Sequence, residues 1–256
     1  MKKYRGFLID LDGTMYKGTE KIEEAIDFVK ELDQKGLPYL FLTNNSTKHP
    51  KDVANKLVEM GVPCTEDHVF TTSMATAKYI RDLKANATVY AIGEDGLHLA
   101  LEEAGFSFAE DNADYVVMGL DRDITYEKLT KGALNIRNGA TFIATNGDVA
   151  LPTERGFLPG AGSLISVLSV TTGVKPIFIG KPESIIVEQA LEVLGTNKEE
   201  TVMIGDNYYT DILAGIHAGI DSILVHTGVT TKEEVQTLET KPTFAIDSLV
   251  EWTFGE

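Results

Sequence analysis

Short apolar runs alternate with amphipathic stretches along the whole chain, the pattern of an α/β fold with a largely parallel sheet. Phe7-Leu8-Ile9 reads as a buried strand, and Gly13 allows a sharp turn soon after it. Ile22, Ala25, Ile26, Val29 and Leu32 recur at helical spacing, and Gly36 ends that helix. Residues 39–42 form a second predicted strand. Pro50 opens a helix whose apolar face is Val53, Leu57 and Met60, with Gly61 closing it. Another helix is predicted over 74–84.

A second series begins near residue 86. Strands are predicted over 87–92, 115–120 and 141–144, and helices over 97–104 and 126–137. Pro159-Gly160-Ala161-Gly162 precedes a helix over 163–170. The earlier style then resumes, with strands over 176–179, 201–204, 222–225 and 244–246 and helices over 184–194 and 211–217. No low-complexity linker separates the two series, so a second domain would be inserted within the first rather than appended to it.

Composition narrows the function classes. The 256 residues can bury a substantial core, and 43% hydrophobic with 24% charged content is that of an ordinary globular protein. The formal net charge of −16 argues against nucleic acid or an anionic membrane as partner, because no surplus of Lys and Arg is present to neutralise phosphates. A small phosphorylated substrate needs only local positive charge and stays open. Cys64 is the only cysteine, which excludes an intrachain disulfide, and with no basic neighbour it reads as an inert thiol. Asp10 interrupts the first apolar run too early for a signal peptide, and no segment approaches a membrane span. A cytoplasmic location is the simplest expectation.

Four strand ends carry unusual chemistry. Asp10 and Asp12 follow the first strand, and residues two apart on an extended segment point the same way. Two like charges in one small volume call for a cation, a proton or both. Thr43-Asn44 follows the second strand, Gly180-Lys181-Pro182 a later one, and Gly205-Asp206-Asn207 another, with Asp211 five residues beyond Asp206. Taken singly these are ordinary turn and cap residues. Their joint occurrence at the carboxyl ends of apolar strands, where open parallel sheets bind ligands, points to one site. Carboxylates with carbonyl and water oxygens make a hard, oxygen-only site that suits Mg²⁺. Lys181 would screen a phosphate from the carboxylates, and Thr43 and the amides after it would donate to phosphoryl oxygens.

Asp10-Leu11-Asp12-Gly13-Thr14, Leu42-Thr43-Asn44-Asn45, Gly180-Lys181-Pro182 and the run from Gly205-Asp206-Asn207 to Asp211 resemble the four motifs of the haloacid-dehalogenase-like hydrolase superfamily. The resemblance spans essentially the whole chain. It is closest to the NagD-like, p-nitrophenyl-phosphatase-like branch, which carries a large α/β cap between the second and third motifs. Gly119-Leu120-Asp121 and Thr145-Asn146-Gly147-Asp148 resemble that branch's cap motifs, with Gly147 where relatives commonly have Pro. The implied architecture is a Rossmann-like parallel-sheet core over 1–79 and 179–256 with an inserted α/β cap domain over 80–178.

The resemblance implies an Mg²⁺-dependent phosphatase acting on small phosphorylated metabolites, of the sugar phosphate or nucleoside monophosphate class. Asp10 would be the nucleophile and a metal ligand. Asp12 would be the general acid and base, its backbone carbonyl also ligating the metal. Thr43, Asn44 and Lys181 would bind phosphate. Asp206 would ligate the metal, with Asp211 and Asn207 supporting it from behind. Asn146 and Asp148 are the candidates for reading the leaving group, beside Asp121 and the turn at 160–163. Caps in that branch can mediate dimers, so a homodimer is an allowed assembly. Asp12 favours a phosphatase over a dehalogenase, since halide leaves without a proton. Two alternatives stay open: a non-catalytic phosphometabolite-binding module on the same fold, and a phosphomutase. A nucleotide-cofactor oxidoreductase is disfavoured, because no G-x-G-x-x-G follows the first strand.

Overall fold

The computed structural model describes residues 3–254. The chain forms two compact units. One comprises the chain up to Thr43, Pro50–Phe70 and the chain from Lys181; the other comprises Asn44–His49 and Thr71–Gly180.

The first unit is built on a six-stranded sheet in the order Phe244–Ile246, Asp221–Val225, Thr201–Gly205, Gly6–Ile9, Tyr39–Thr43, Val69–Thr71. The central pairs are parallel, with Ile9 opposite both Ile204 and Phe41. The four central strands are buried on both faces apart from Asp221 at one end, which is why they read as continuous apolar runs rather than alternating ones. From the Gly6–Ile9 strand the chain first builds outward to Tyr39–Thr43, then returns on the opposite side to Thr201–Gly205. Ligand crevices of open α/β sheets lie at such a reversal, beyond the carboxyl ends of the strands. The helix Glu23–Lys35 covers one face through Ala25, Ile26, Phe28, Val29 and Leu32. Its end at Gly36 is decided by a left-handed residue at φ 63°, whose N–H reaches the last carbonyls.

The second unit carries a five-stranded sheet in the order Ile177–Phe178, Thr141–Ala144, Tyr115–Met118, Thr88–Ile92, Ser107–Phe108, with all pairs parallel. Its core joins Val116, Met118, Phe142 and Ala144 to Ile136, Ile165 and Leu168 from helices Tyr126–Arg137 and Ala161–Thr172. The helix Thr72–Leu83 starts where the Thr71 side chain accepts from the Met74 N–H.

Long periodic elements fall where the sequence predicts them, as do the short strands Ile177–Phe178 and Phe244–Ile246, while several other short elements were not predicted. The strand Val69–Thr71 and the hairpins Tyr16–Lys17/Glu20–Lys21 and Ala150–Thr153/Gly156–Pro159 are too brief to give a period. The helix predicted over 211–217 is preceded by a wide π turn, Tyr208–Ile212, and its α-helical part is Leu213–Ala218. That turn follows the motif at Gly205, and π turns are frequent at functional positions. No helix among the described residues is long and apolar enough to cross a membrane.

Candidate active site

Asp10 continues the Gly6–Ile9 strand, its N–H bonded to the Ile204 carbonyl at 2.9 Å. Asp206 follows the neighbouring strand, and Thr43 ends the strand on the other side. Parallel pairing therefore delivers these three side chains to one end of the sheet. Asp211 joins them from the π turn. One oxygen from each of Asp10, Asp206 and Asp211 lies within 4.8 Å of the others. They are 8%, 1% and 1% exposed, and Lys181 is 2% exposed, so water screens none of them well.

Lys181 ties the cluster together. Its ammonium donates to Asp10 Oδ1 at 2.5 Å, Asp211 Oδ1 at 2.7 Å and the Leu42 carbonyl at 3.1 Å. Thr14 donates from the side, at 3.4 Å to Asp10 Oδ2 and 3.5 Å to Asp206 Oδ1. The Val229 N–H donates to Asp206 Oδ2 at 2.7 Å, and the Asn207 N–H to Asp211 Oδ2 at 3.1 Å. The Asn207 side-chain oxygen accepts from the Tyr209 N–H and shapes the turn.

Two glycines make the crowding possible. Gly13 has φ 93°, and a Cβ there would land on the Asp206 carboxylate. A Cβ on Gly205 would land on the carboxyl of Asp211.

Burial pushes the Asp10 carboxyl well up, and the Asp211 charge adds to this while Lys181 opposes it. Asp206 is pushed up to about 6, chiefly by burial and then by Asp211. Burial pulls the Lys181 ammonium down, but Asp10 and Asp211 outweigh it and hold its pKa above the ordinary lysine value. Among the described residues, three buried carboxylates thus share the Lys181 ammonium. The donor set is all oxygen, and the remaining negative charge fits a small divalent cation such as Mg²⁺.

Asp12 is not one of the three carboxylates of this cluster. Its side chain is exposed, and its Oδ1 accepts from the Gly18 N–H at 3.4 Å. The two-residue alternation expected from an extended chain stops at Ile9. Beyond it the Leu11 carbonyl accepts from the N–H groups of Thr14, Met15 and Tyr16, and the chain turns.

The remaining sequence candidates belong to the second unit. Asn44 donates its amide to Asp148, at 3.3 and 3.4 Å. Asn146 is buried, donates to Asp148 Oδ2 at 2.7 Å and accepts from the Thr145 hydroxyl at 2.9 Å. Asp121 is held by Lys128 at 2.7 Å and by the Asp123 N–H, a local turn-stabilising arrangement. Cys64 lies outside this chemistry, its thiol pushed up to about 11 by burial. Sequence reasoning missed the Val229 N–H and the Leu42 carbonyl, which are backbone groups that no residue type announces. Thr14 was visible as a hydroxyl beside the carboxylates.

Residues 7–107 match the family model described as haloacid dehalogenase-like hydrolase, and 178–252 match a second model of HAD-hydrolase-like proteins. The 5'-nucleotidase YutF of Bacillus subtilis is 64% identical over 252 residues, covering 98% of each chain. The chain belongs to the haloacid dehalogenase-like hydrolases. An acid sugar phosphatase of Staphylococcus epidermidis is 53% identical over 250 residues, covering 97% of this chain and 96% of that one. The solved structure of NagD from E. coli K-12 superposes with a TM-score of 0.93 at 34% identity, covering 99% of this chain and all of that one. Within the haloacid dehalogenase-like hydrolases the chain falls in the NagD-like, p-nitrophenyl-phosphatase-like branch, and it is a phosphoric monoester hydrolase.

Proposed function

We propose that this haloacid dehalogenase-like hydrolase is an Mg²⁺-dependent phosphatase of small phosphomonoesters, working through an aspartyl-phosphate. The observation that carries the reading is the buried Asp10–Lys181–Asp211 arrangement beside Asp206, at the sheet's reversal point. An Asp10 oxygen attacks phosphorus, and the bond to the leaving oxygen breaks as Asp12 gives that oxygen a proton. Asp12 then takes a proton from the water that attacks the same phosphorus, and phosphate departs with Asp10 restored. Thr43, Asn44 and Lys181 bind the phosphoryl oxygens. Asp10, Asp206 and the Asp12 carbonyl would hold Mg²⁺, with Asp211 and Asn207 supporting them. Bound there, Mg²⁺ would neutralise phosphoryl charge as a Lewis acid.

Residues 1–79 and 179–256 are proposed as the catalytic core and 80–178 as the cap domain. Asn146 and Asp148 are proposed to read the leaving group. Sugar phosphates and nucleoside monophosphates are the substrate classes, in keeping with the acid sugar phosphatase and 5'-nucleotidase names of the relatives. A cytoplasmic enzyme, with no nucleic acid or membrane partner and free to form a homodimer, completes the reading.

Chelation tests the metal. EDTA should stop turnover of p-nitrophenyl phosphate, and excess Mg²⁺ should restore it; full activity in chelator would end the metal assignment. The same site has a pH signature. In the metal-free protein Asp206 sits at about 6 against an ordinary 3.8. Between those values the folded chain keeps a proton that the unfolded chain has shed, so metal-free stability falls as pH rises through that window. Mg²⁺ competes with that proton. The rise in melting temperature on adding Mg²⁺ should therefore be larger at pH 7.5 than at pH 5, and equal rises would count against Asp206 as a ligand. In the second unit, Asn146→Ala should alter the ranking among sugar phosphates and nucleoside monophosphates by roughly three- to tenfold, the value of one hydrogen bond. Activity on p-nitrophenyl phosphate should change less. A uniform loss would argue against a specificity role.

A further inference from the structure

Lys56 lies in the helix Pro50–Glu59, outside all four motifs. Its ammonium rests 3.4 Å from the centroid of the Tyr16 ring, a close cation–π contact. It also donates to the Gly18 carbonyl at 3.1 Å. Gly18 has φ 60°, and its N–H is the donor to Asp12 Oδ1. Gly18 is thus held on both sides, by Asp12 through its N–H and by Lys56 through its carbonyl. Tyr16 is itself buried, and it bridges to Asp12 across the turn at 13–15, just before the hairpin. Burial lowers the Lys56 pKa, and the nearby Asp12 charge opposes that shift.

Asp10, Lys181, Asp206 and Asp211 are deeply buried, whereas Asp12 is exposed on the turn that leads into a hairpin whose strands are two residues long. Such a hairpin has little stability of its own. A general acid must nevertheless be held in register with the leaving oxygen. We propose that Lys56 is a positioning residue for Asp12: seated on Tyr16 and bonded to Gly18, it fixes the turn that orients the Asp12 carboxylate toward the leaving group. The inference rests on the proposed acid role of Asp12.

Leaving-group chemistry provides the test. A nitrophenolate leaves without help, but an alkoxide needs a proton. Turnover of p-nitrophenyl phosphate and of an alkyl phosphate would be compared in wild type, Lys56→Met, Lys56→Arg and Asp12→Asn. Lys56→Met should lower kcat/KM for the alkyl ester, which reports formation of the aspartyl-phosphate and not its later hydrolysis, by roughly tenfold or more, part of the span a general acid supplies. Its kcat/KM for p-nitrophenyl phosphate should stay within about threefold, since the attack of water common to both esters does not enter that ratio; its melting temperature should be unchanged, and Lys56→Arg should restore most of the alkyl value. Equal loss on both esters, or no loss, with Asp12→Asn still selective against the alkyl ester, would overturn the role of Lys56 alone. An Asp12→Asn variant without that selectivity would overturn the acid assignment, and the role of Lys56 with it.

Discussion

Asp10→Asn is expected to abolish phosphatase activity while leaving the protein folded. The amide keeps the shape of the carboxyl but cannot capture phosphorus, so kcat should fall by about 10⁵–10⁶, the scale of nucleophile loss in covalent hydrolases. Stability should hold or rise. Burial and the Asp211 charge already push the Asp10 carboxyl toward its neutral form, so the substitution removes a disfavoured charge. Lys181 keeps Asp211 as its partner. Steady-state turnover of p-nitrophenyl phosphate together with circular dichroism checks both halves. Near-wild-type turnover in a folded variant would refute the nucleophile.

Lys181→Met should damage both fold and activity. The side chain is of similar length, but it withdraws the ammonium bonded to Asp10 and Asp211. Removing one member of a buried ion pair typically costs about 3–5 kcal/mol, because the partner charge is left without compensation. In a chain of this size the melting temperature should fall by roughly 10 °C. The loss should shrink at acid pH, where the stranded carboxylates take up protons, and should shrink again with Mg²⁺. Melting curves at pH 4.5 and 7.5 measure this. A deficit equally large at both pH values would point to lost packing instead of stranded charge.

The chemistry of the site was legible because it sits where strands end. An apolar run terminated by Asp10, another by Thr43 and another by Gly205-Asp206 can be read from residue order alone, since a parallel sheet aligns such ends. Lys181 was legible as a cation isolated between Gly180 and Pro182. Helices such as 126–137 and 184–194 were legible because several turns of apolar spacing accumulate in each.

Asp12 marks where this reading runs out. Alternation places it beside Asp10, yet the turn built on the Leu11 carbonyl leaves its side chain exposed and tied to Gly18. Asp211 shows the opposite. A π turn carries it into direct contact with Lys181, close enough to Asp10 and Asp206 to form the acidic cluster, where the sequence offered it only as a support behind the metal. The amide of Val229 and the ammonium of Lys56 lie outside every motif, and the Leu42 carbonyl acts as a backbone group that its residue type does not announce.

Residue order by itself determined the α/β class, the four chemical strand ends and the family. Those depend on local periodicity and on which side chain follows each strand, and both are properties of the linear chain. Tertiary structure alone decided which carboxylates share Lys181, how far burial raises Asp10 and Asp206, and which backbone groups close around them. These depend on solvent exclusion and on distances between segments far apart in the chain, such as Thr14 and Asp206, 192 residues apart. No local pattern encodes a dielectric environment or a long-range distance; both arise only when the sheet is assembled.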